Sequence, residues 1–121
     1  MAIERTILNK TRATVVGTRI AVADTFHTRL VGLLGRRHME AGSGLLIQPS
    51  SGIHTFGMLF PIDVVALDRQ LRVRALWPNL RPWRISGVSW NTHAILELPS
   101  GAILRSHLGV GDQLAFIVDS R

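Results

Sequence analysis

Two apolar segments separated by three polar residues constrain the fold more than any other feature of this 121-residue chain. Residues 62–67 and 71–77 flank Asp68-Arg69-Gln70, a polar tripeptide of the kind that favours a tight turn. In the second segment, apolar positions alternate with mostly basic ones: Leu71, Val73, Ala75 and Trp77 against Arg72, Arg74 and Leu76. One buried side and one wet side are typical of an antiparallel sheet, so the segments predict a β-hairpin.

Short β-branched segments recur along the rest of the chain. Such segments predict further strands at residues 3–9, 13–23, 45–47, 52–58, 93–98 and 113–118. Apolar residues at helical spacing predict one main helix over 25–36, and a short helix is predicted over 100–107. Residues 78–91 contain two prolines and predict a long loop. We therefore expect a single domain over residues 1–121 of the α+β class, with a predominantly antiparallel sheet that is barrel-like or strongly curled.

The composition excludes several classes of protein. Apolar residues make up 46% of the chain, enough for a folded core, and there is no cysteine for a disulfide or a thiolate nucleophile. No apolar run approaches the roughly 18–20 residues needed to span a bilayer. The first ten residues include an acid and lack an apolar core, unlike a signal peptide. These features predict a cytoplasmic chain, with export of a longer precursor left open.

The stretch from residue 49 to residue 68 is the predicted functional region. It places a histidine, a methionine and an acid among glycines and prolines in an apolar context. If residues 52–58 form a strand, His54, Phe56 and Met58 share one face. With Trp83 from the loop and Asp63 at an edge, they predict an apolar cleft with a few polar anchors. A non-enzymatic module that binds a small ligand or a peptide is the favoured function, and it needs no cofactor.

An enzyme is the first alternative. His54 with Asp63 or Glu97 supplies a base and an orienting acid for hydrolysis, and the same groups are able to hold a metal if they converge. His54 and Thr55 are neighbours on a predicted strand and point to opposite faces, so His54 is poorly placed to activate Thr55 as a nucleophile. The Gly-x-Ser-x-Gly motif that presents a nucleophilic serine is also absent. No spacing matches a known metal signature, so the sequence predicts no metal site.

Nucleic-acid binding is the second alternative. The formal charge is +6, and residues 69–96 contain five arginines and no acid, together with three tryptophans. Basic side chains with aromatics can contact phosphates and stack on bases. The residues predicted for this role are Arg72, Arg74, Arg81 and Arg84. The interpretation without a binding role is a solvated basic face with tryptophans in the core.

Five motifs in order carry a resemblance to a known family. They are GLLGR at 32–36, GLLI at 44–47, IHTFGM at 53–58, FPIDVV at 60–65 and GD at 111–112. Together they resemble the DUF192 family, also called the UPF0127 proteins, from about residue 3 to residue 118. The resemblance implies a mostly β single domain with one main helix and no established activity. Many relatives have a cysteine where this chain has Ser50, and an aromatic residue where it has Ala66.

Overall fold

A computed structural model describes residues 4–23, 39–50, 60–81 and 91–117, and the backbone of residues 53–54 and 85–86. The helix predicted over 25–36 lies outside the described residues. So do four predicted site residues: Phe56, Met58, Trp83 and Arg84.

The described residues form nine strands and one short helix. The strands are β1 (Glu4–Asn9), β2 (Thr14–Ala23), β3 (Ser43–Ile47), β4 (Ile53–His54), β5 (Ile62–Leu67), β6 (Val73–Leu80), β7 (Ile85–Ser86), β8 (Ala94–Pro99) and β9 (Leu114–Phe116), and the helix is α1 (Ala102–Arg105). Seven strands form one sheet in the order β6-β5-β8-β3-β2-β1-β9, and β4 pairs with β7 in a second sheet. All pairs are antiparallel except β2 with β3. The prediction of a mostly antiparallel β domain with a short helix near 100–107 is therefore confirmed.

The large sheet curls until its two edges meet at one end, but it does not close into a barrel. Arg72, next to β6, and Gln113, next to β9, form an isolated antiparallel bridge. Beside it, the Val73 N–H donates to the Asp112 carbonyl oxygen at 2.8 Å, and the Leu114 N–H donates to the Leu71 carbonyl oxygen at 3.0 Å. Only one bridge joins these edges in the described residues, so the barrel-like prediction is matched loosely.

Both faces of the central strands are buried, because a core cluster lies on each side of the sheet. Every residue of β5 and of β8 is buried. The first core cluster includes Ile20, Leu46, Val65, Leu67, Leu96, Leu98, Ala102 and Ile103. The second core cluster includes Leu45, Ile47, Phe60, Ile62, Val64, Ala66 and Ile95. Alternate side chains of a strand point to opposite faces, so the position of a residue along its strand, odd or even, decides which core cluster its side chain faces.

The predicted alternation of residues 71–77 is wrong, because β6 contains an extra residue. Leu67 pairs with Val73, but the preceding Ala66 pairs with Ala75, which leaves Arg74 as a β-bulge. Beyond the bulge the faces exchange. Val73 lies in the first core cluster, whereas Ala75 and Trp77 pack against the second. A one-residue shift moves every later side chain to the other face.

The long loop predicted over 78–91 is shorter than expected. The strand β6 continues to Leu80, and β7 lies inside the predicted loop. A second irregularity in the β5–β6 pairing accommodates this extension, because Ile62 pairs with Leu80 and Val64 with Trp77. The backbone at Asn79 has φ of 54°, and its N–H is satisfied by a side chain rather than by the ladder.

Candidate functional site

Asp63 lies on β5 with its side chain toward the first core cluster, and it is 1% exposed. Its Oδ1 accepts the N–H of Asn79 at 2.8 Å, and its Oδ2 accepts the N–H groups of Gly101 at 3.1 Å and Ile103 at 2.8 Å. Gly101 precedes α1 and provides no side-chain cap. The Asp63 carboxylate therefore satisfies N–H groups at the start of α1 that otherwise lack partners. It fastens β5 to the irregular end of β6 and to α1.

Glu97 lies on the opposite face of the same sheet. Its neighbours Leu96 and Leu98 are in the first core cluster, so Glu97 projects with Ile95 toward the second. It pairs with Leu45 of β3 and Val64 of β5, and it is 1% exposed. The side chain has an interaction partner. A carboxyl group therefore occupies the middle of an otherwise apolar face.

The two acids that the sequence offered as partners for His54 are thus separated by the sheet. The backbone of His54 lies in β4, opposite Ile85 of β7. The physical reason for the separation is the alternation of side chains along a strand, since Asp63 and its neighbour Val64 point to opposite faces. Both oxygens of Asp63 accept backbone N–H groups, which gives this acid a structural role, and its predicted place at the edge of a cleft remains a prediction. Glu97, in contrast, lies on the face of the sheet that carries the second core cluster.

His93 and Glu97 are four residues apart, which is the spacing of side chains on one face of a strand, but they are far apart. Four residues of strand separate them by about 13 Å. The backbone of His93 is fixed at the start of β8, where its N–H donates to the Leu67 carbonyl oxygen at 2.8 Å and its carbonyl accepts the Ser50 N–H at 2.7 Å. Within the described ranges, no three His, Asp or Glu side chains are grouped so that they could hold a metal ion.

Three of the arginines predicted for nucleic-acid contact lie in the described residues, and these three do not form one row. Arg72 is exposed, and its Nη1 donates to the Gly111 carbonyl oxygen at 3.5 Å. Arg74 is half-buried at the bulge, and Arg81 is exposed just after β6. The bulge prevents residues 72 and 74 from lining one regular face. Nucleic-acid binding through this segment remains a prediction.

A buried polar cluster that the sequence did not predict surrounds Asp112, which is 3% exposed. Burial raises the pKa of this carboxyl group. Hydrogen bonds from the Asn9 amide and the Gly109 N–H, with the Arg12 guanidinium, more than offset burial and hold the pKa below its ordinary value. The Asn9 Oδ1 also accepts the Thr11 N–H at 3.1 Å. The only sequence signals were an Asn before the β1–β2 turn and the Gly-Asp pair at 111–112.

These features define a mixed β fold in which buried acids support turns and the start of a helix, and one further buried acid lies at the centre of the sheet. The model of the DUF192 family, described as an uncharacterised ACR, matches residues 7–116. The chain belongs to the DUF192 family, as the five motifs indicated. None of the described helices has the length and apolarity to cross a bilayer.

Several known proteins are similar to this chain. A UPF0127 protein of Thermococcus sibiricus is 33% identical over 118 residues, covering 93% of this chain and 75% of the relative. A UPF0127 protein of Pyrococcus horikoshii is 32% identical over 98 residues, covering 78% and 84%. A crystal structure of a Novosphingobium aromaticivorans protein of unknown function has a TM-score of 0.78 at 20% identity, covering 94% and 84%. The structural likeness establishes the fold alone.

Proposed function

We propose that this protein is a non-enzymatic binding module whose site lies against the second core cluster, with Glu97 as its acidic anchor. The observation that carries the proposal is a carboxyl group, 1% exposed, in the middle of an apolar sheet face. Burying a carboxylate among apolar side chains costs several kcal/mol unless charged or hydrogen-bonding groups compensate it. A leucine or valine at this position would pack without any polar partner, so the acid indicates a polar role at this face.

The setting of Glu97 differs from that of the chain's other buried acids. Asp63, Asp68 and Asp112 each accept backbone N–H groups at a turn or at the start of a helix. Glu97 lies mid-strand, with β3 paired on one side and β5 on the other. There the backbone N–H groups of the ladder lie in the plane of the sheet, while side chains stand perpendicular to it. The groups that the Glu97 carboxylate can reach are therefore side chains or a ligand.

Residues that precede and follow the strand of His54 in the sequence contact this part of the sheet. Four residues before His54, the Ser50 N–H donates to the carbonyl oxygen of His93, at the start of the Glu97 strand. Six residues after it, Phe60 packs in the second core cluster. The proposed site therefore keeps His54, Phe56, Met58 and Trp83 from the sequence prediction. Glu97 replaces Asp63 as the acid.

The chemistry of the site favours a ligand with an apolar body and one cationic or hydrogen-bond-donating group. Apolar contact contributes roughly 25 cal/mol per Å² of buried surface. A charge-assisted hydrogen bond to a carboxylate contributes about 1.5–3 kcal/mol. A small amine or a peptide segment with a basic side chain fits both requirements, whereas a carboxylate ligand is repelled.

Titration followed by NMR tests this proposal. The probe is benzylamine, which is cationic at neutral pH, with benzyl alcohol as its neutral counterpart. We expect benzylamine to shift the amide signals of Leu45, Val64 and Glu97, and Glu97→Gln to weaken its binding about tenfold or more. Glu40→Gln is the matched control, because Glu40 is 66% exposed and paired with Arg19 at 3.1 Å. Equal affinity of both probes, or unchanged binding by Glu97→Gln, would contradict the proposed site.

A further inference from the structure

The described part of the chain buries its acids and exposes its cations. Four of its six acids are buried: Asp63, Asp68, Glu97 and Asp112. The other two, Glu4 and Glu40, are exposed. Eight basic side chains in the same ranges are exposed: Arg5, Lys10, Arg12, Arg19, Arg69, Arg72, Arg81 and Arg105. The exposed side chains of the described ranges therefore carry more positive charge than those ranges do as a whole, because most of the neutralising acids are inside.

Half of these exposed cations lie at one end of the sheet, where three turns meet. The turns comprise residues 10–13, 69–72 and 109–113, and we call them the three-turn rim. Gln113 holds them together. Its N–H donates to Thr11 Oγ1 at 2.9 Å, its Nε2 donates to the Gln70 carbonyl oxygen at 2.6 Å, and its own carbonyl accepts the Lys10 N–H at 2.8 Å. The cations of the rim are Lys10, Arg12, Arg69 and Arg72.

The two acids near the rim are buried, and Asp112 offsets part of the charge of Arg12, with which it pairs at 3.4 Å. Asp68 is 7% exposed, and its Oδ1 accepts the N–H groups of Gln70 and Arg72 at 2.9 Å each. Asp112 is engaged by Asn9, Gly109 and Arg12, as described above. The exposed acids lie away from the rim. Glu4 begins β1, whereas the rim follows the end of β1, about 17 Å along the strand.

We propose that the three-turn rim binds the phosphate backbone of nucleic acid without reading base sequence. Three of its four cations are arginines, whose planar guanidinium groups match phosphate oxygens in a bidentate geometry. Exposed Thr11 and Gln70 add polar groups beside them. The rim is fixed by non-local hydrogen bonds, so its cations are anchored on a rigid base.

The composition of the rim favours nucleic acid over the other common polyanionic surface, an anionic membrane. Peripheral membrane binding combines cations with a large apolar face that enters the headgroup region. The one large apolar side chain exposed on the rim is Val110, at 68%. This surface is independent of the Glu97 face, so the two proposals stand or fall separately.

Fluorescence anisotropy with a labelled DNA duplex of mixed sequence tests the proposal. Binding by four cations predicts that the logarithm of affinity falls with the logarithm of salt concentration with a slope of about −3 to −4. Lys10→Gln with Arg69→Gln removes two rim cations that make no side-chain hydrogen bond in the structure's described contacts. We expect affinity at low salt to fall about tenfold or more, and the slope to shrink by about 1.8.

The matched control is Arg5→Gln with Arg19→Gln, which removes the same charge away from the rim. Arg5 lies over the Phe116 ring at 5.4 Å, and Arg19 is paired with Glu40. We expect this variant to lose much less affinity, and thermal unfolding checks that both variants are folded. Equal losses in the two variants would mean diffuse charge and overturn the proposal, as would an absence of DNA binding at low salt. A third assay measures binding to vesicles rich in phosphatidylserine. If the protein bound these vesicles through the rim and did not bind DNA, the nucleic-acid proposal would be overturned in favour of a membrane partner.

Discussion

Replacing Asp63 with asparagine tests whether this acid belongs to the fold or to a ligand site. The carboxylate accepts three backbone N–H groups through both oxygens. An asparagine keeps one oxygen, which can continue to face Gly101 and Ile103. Its NH₂ group then opposes the Asn79 N–H, so one donor loses its acceptor and the other two lose a charged acceptor for a neutral one.

The magnitude follows from these three contacts. A hydrogen bond to a charged group contributes about 1.5–3 kcal/mol, a neutral one about 0.5–1.5 kcal/mol, and an orphaned donor costs about 1–3 kcal/mol if it is buried. The Ile103 contact is buried, and the Asn79 contact is partly buried and softened by water. We therefore expect Asp63→Asn to lower the free energy of unfolding by about 2–3 kcal/mol. That is a large share of the 5–15 kcal/mol typical of a domain.

Urea unfolding followed by tryptophan fluorescence measures this loss. With an m-value of about 1–3 kcal/mol/M, the midpoint should fall by roughly 0.7–3 M with m unchanged. Asp68→Asn is the matched control, because Asp68 accepts both of its N–H groups through Oδ1 alone, which asparagine retains. We expect it to cost less than about 1 kcal/mol. Equal losses in the two variants would refute the reasoning. Wild-type stability with lost ligand binding would return Asp63 to the site.

Two further predictions concern a glycine and a buried acid. Gly44→Ala would place a Cβ 2.9 Å from the Glu97 carbonyl oxygen, a backbone atom that cannot move aside, and should destabilise by about 1–3 kcal/mol in urea unfolding. Gly109→Ala, whose nearest contact is a flexible side-chain end at 3.4 Å, should change little. The pKa of Asp112 is lowered in the folded state, so its contribution is present above its unfolded pKa of about 3.9 and is lost as pH falls through the folded value. Asp112→Asn should therefore be less stable than wild type near neutral pH, with a gap that narrows below about pH 4; a constant gap would contradict the assignment.

Local patterns in the sequence were enough to predict the positions of most strands, the turn after Leu67 and the short helix α1. These features depend on periodicity and turn chemistry within a few residues, which a sequence displays directly. The ordered motifs identified the family. The same local signals placed the predicted strand end at Trp77 too early, because an irregular pairing carries β6 on to Leu80.

The face of the sheet that each acid occupies depends on how the strands pair. Asp63 and Glu97 are interchangeable candidates in a sequence, but strand parity sends one toward α1 and the other toward the second core cluster. The bulge at Arg74 reverses the faces of β6, and no local pattern announced it. The three turns of the rim also meet because of Gln113, which forms hydrogen bonds with Gln70 and Thr11. These partners are 43 and 102 positions away in the sequence. Such contacts are set by how strands far apart in the chain pair, so the arrangement of charges follows from long-range register.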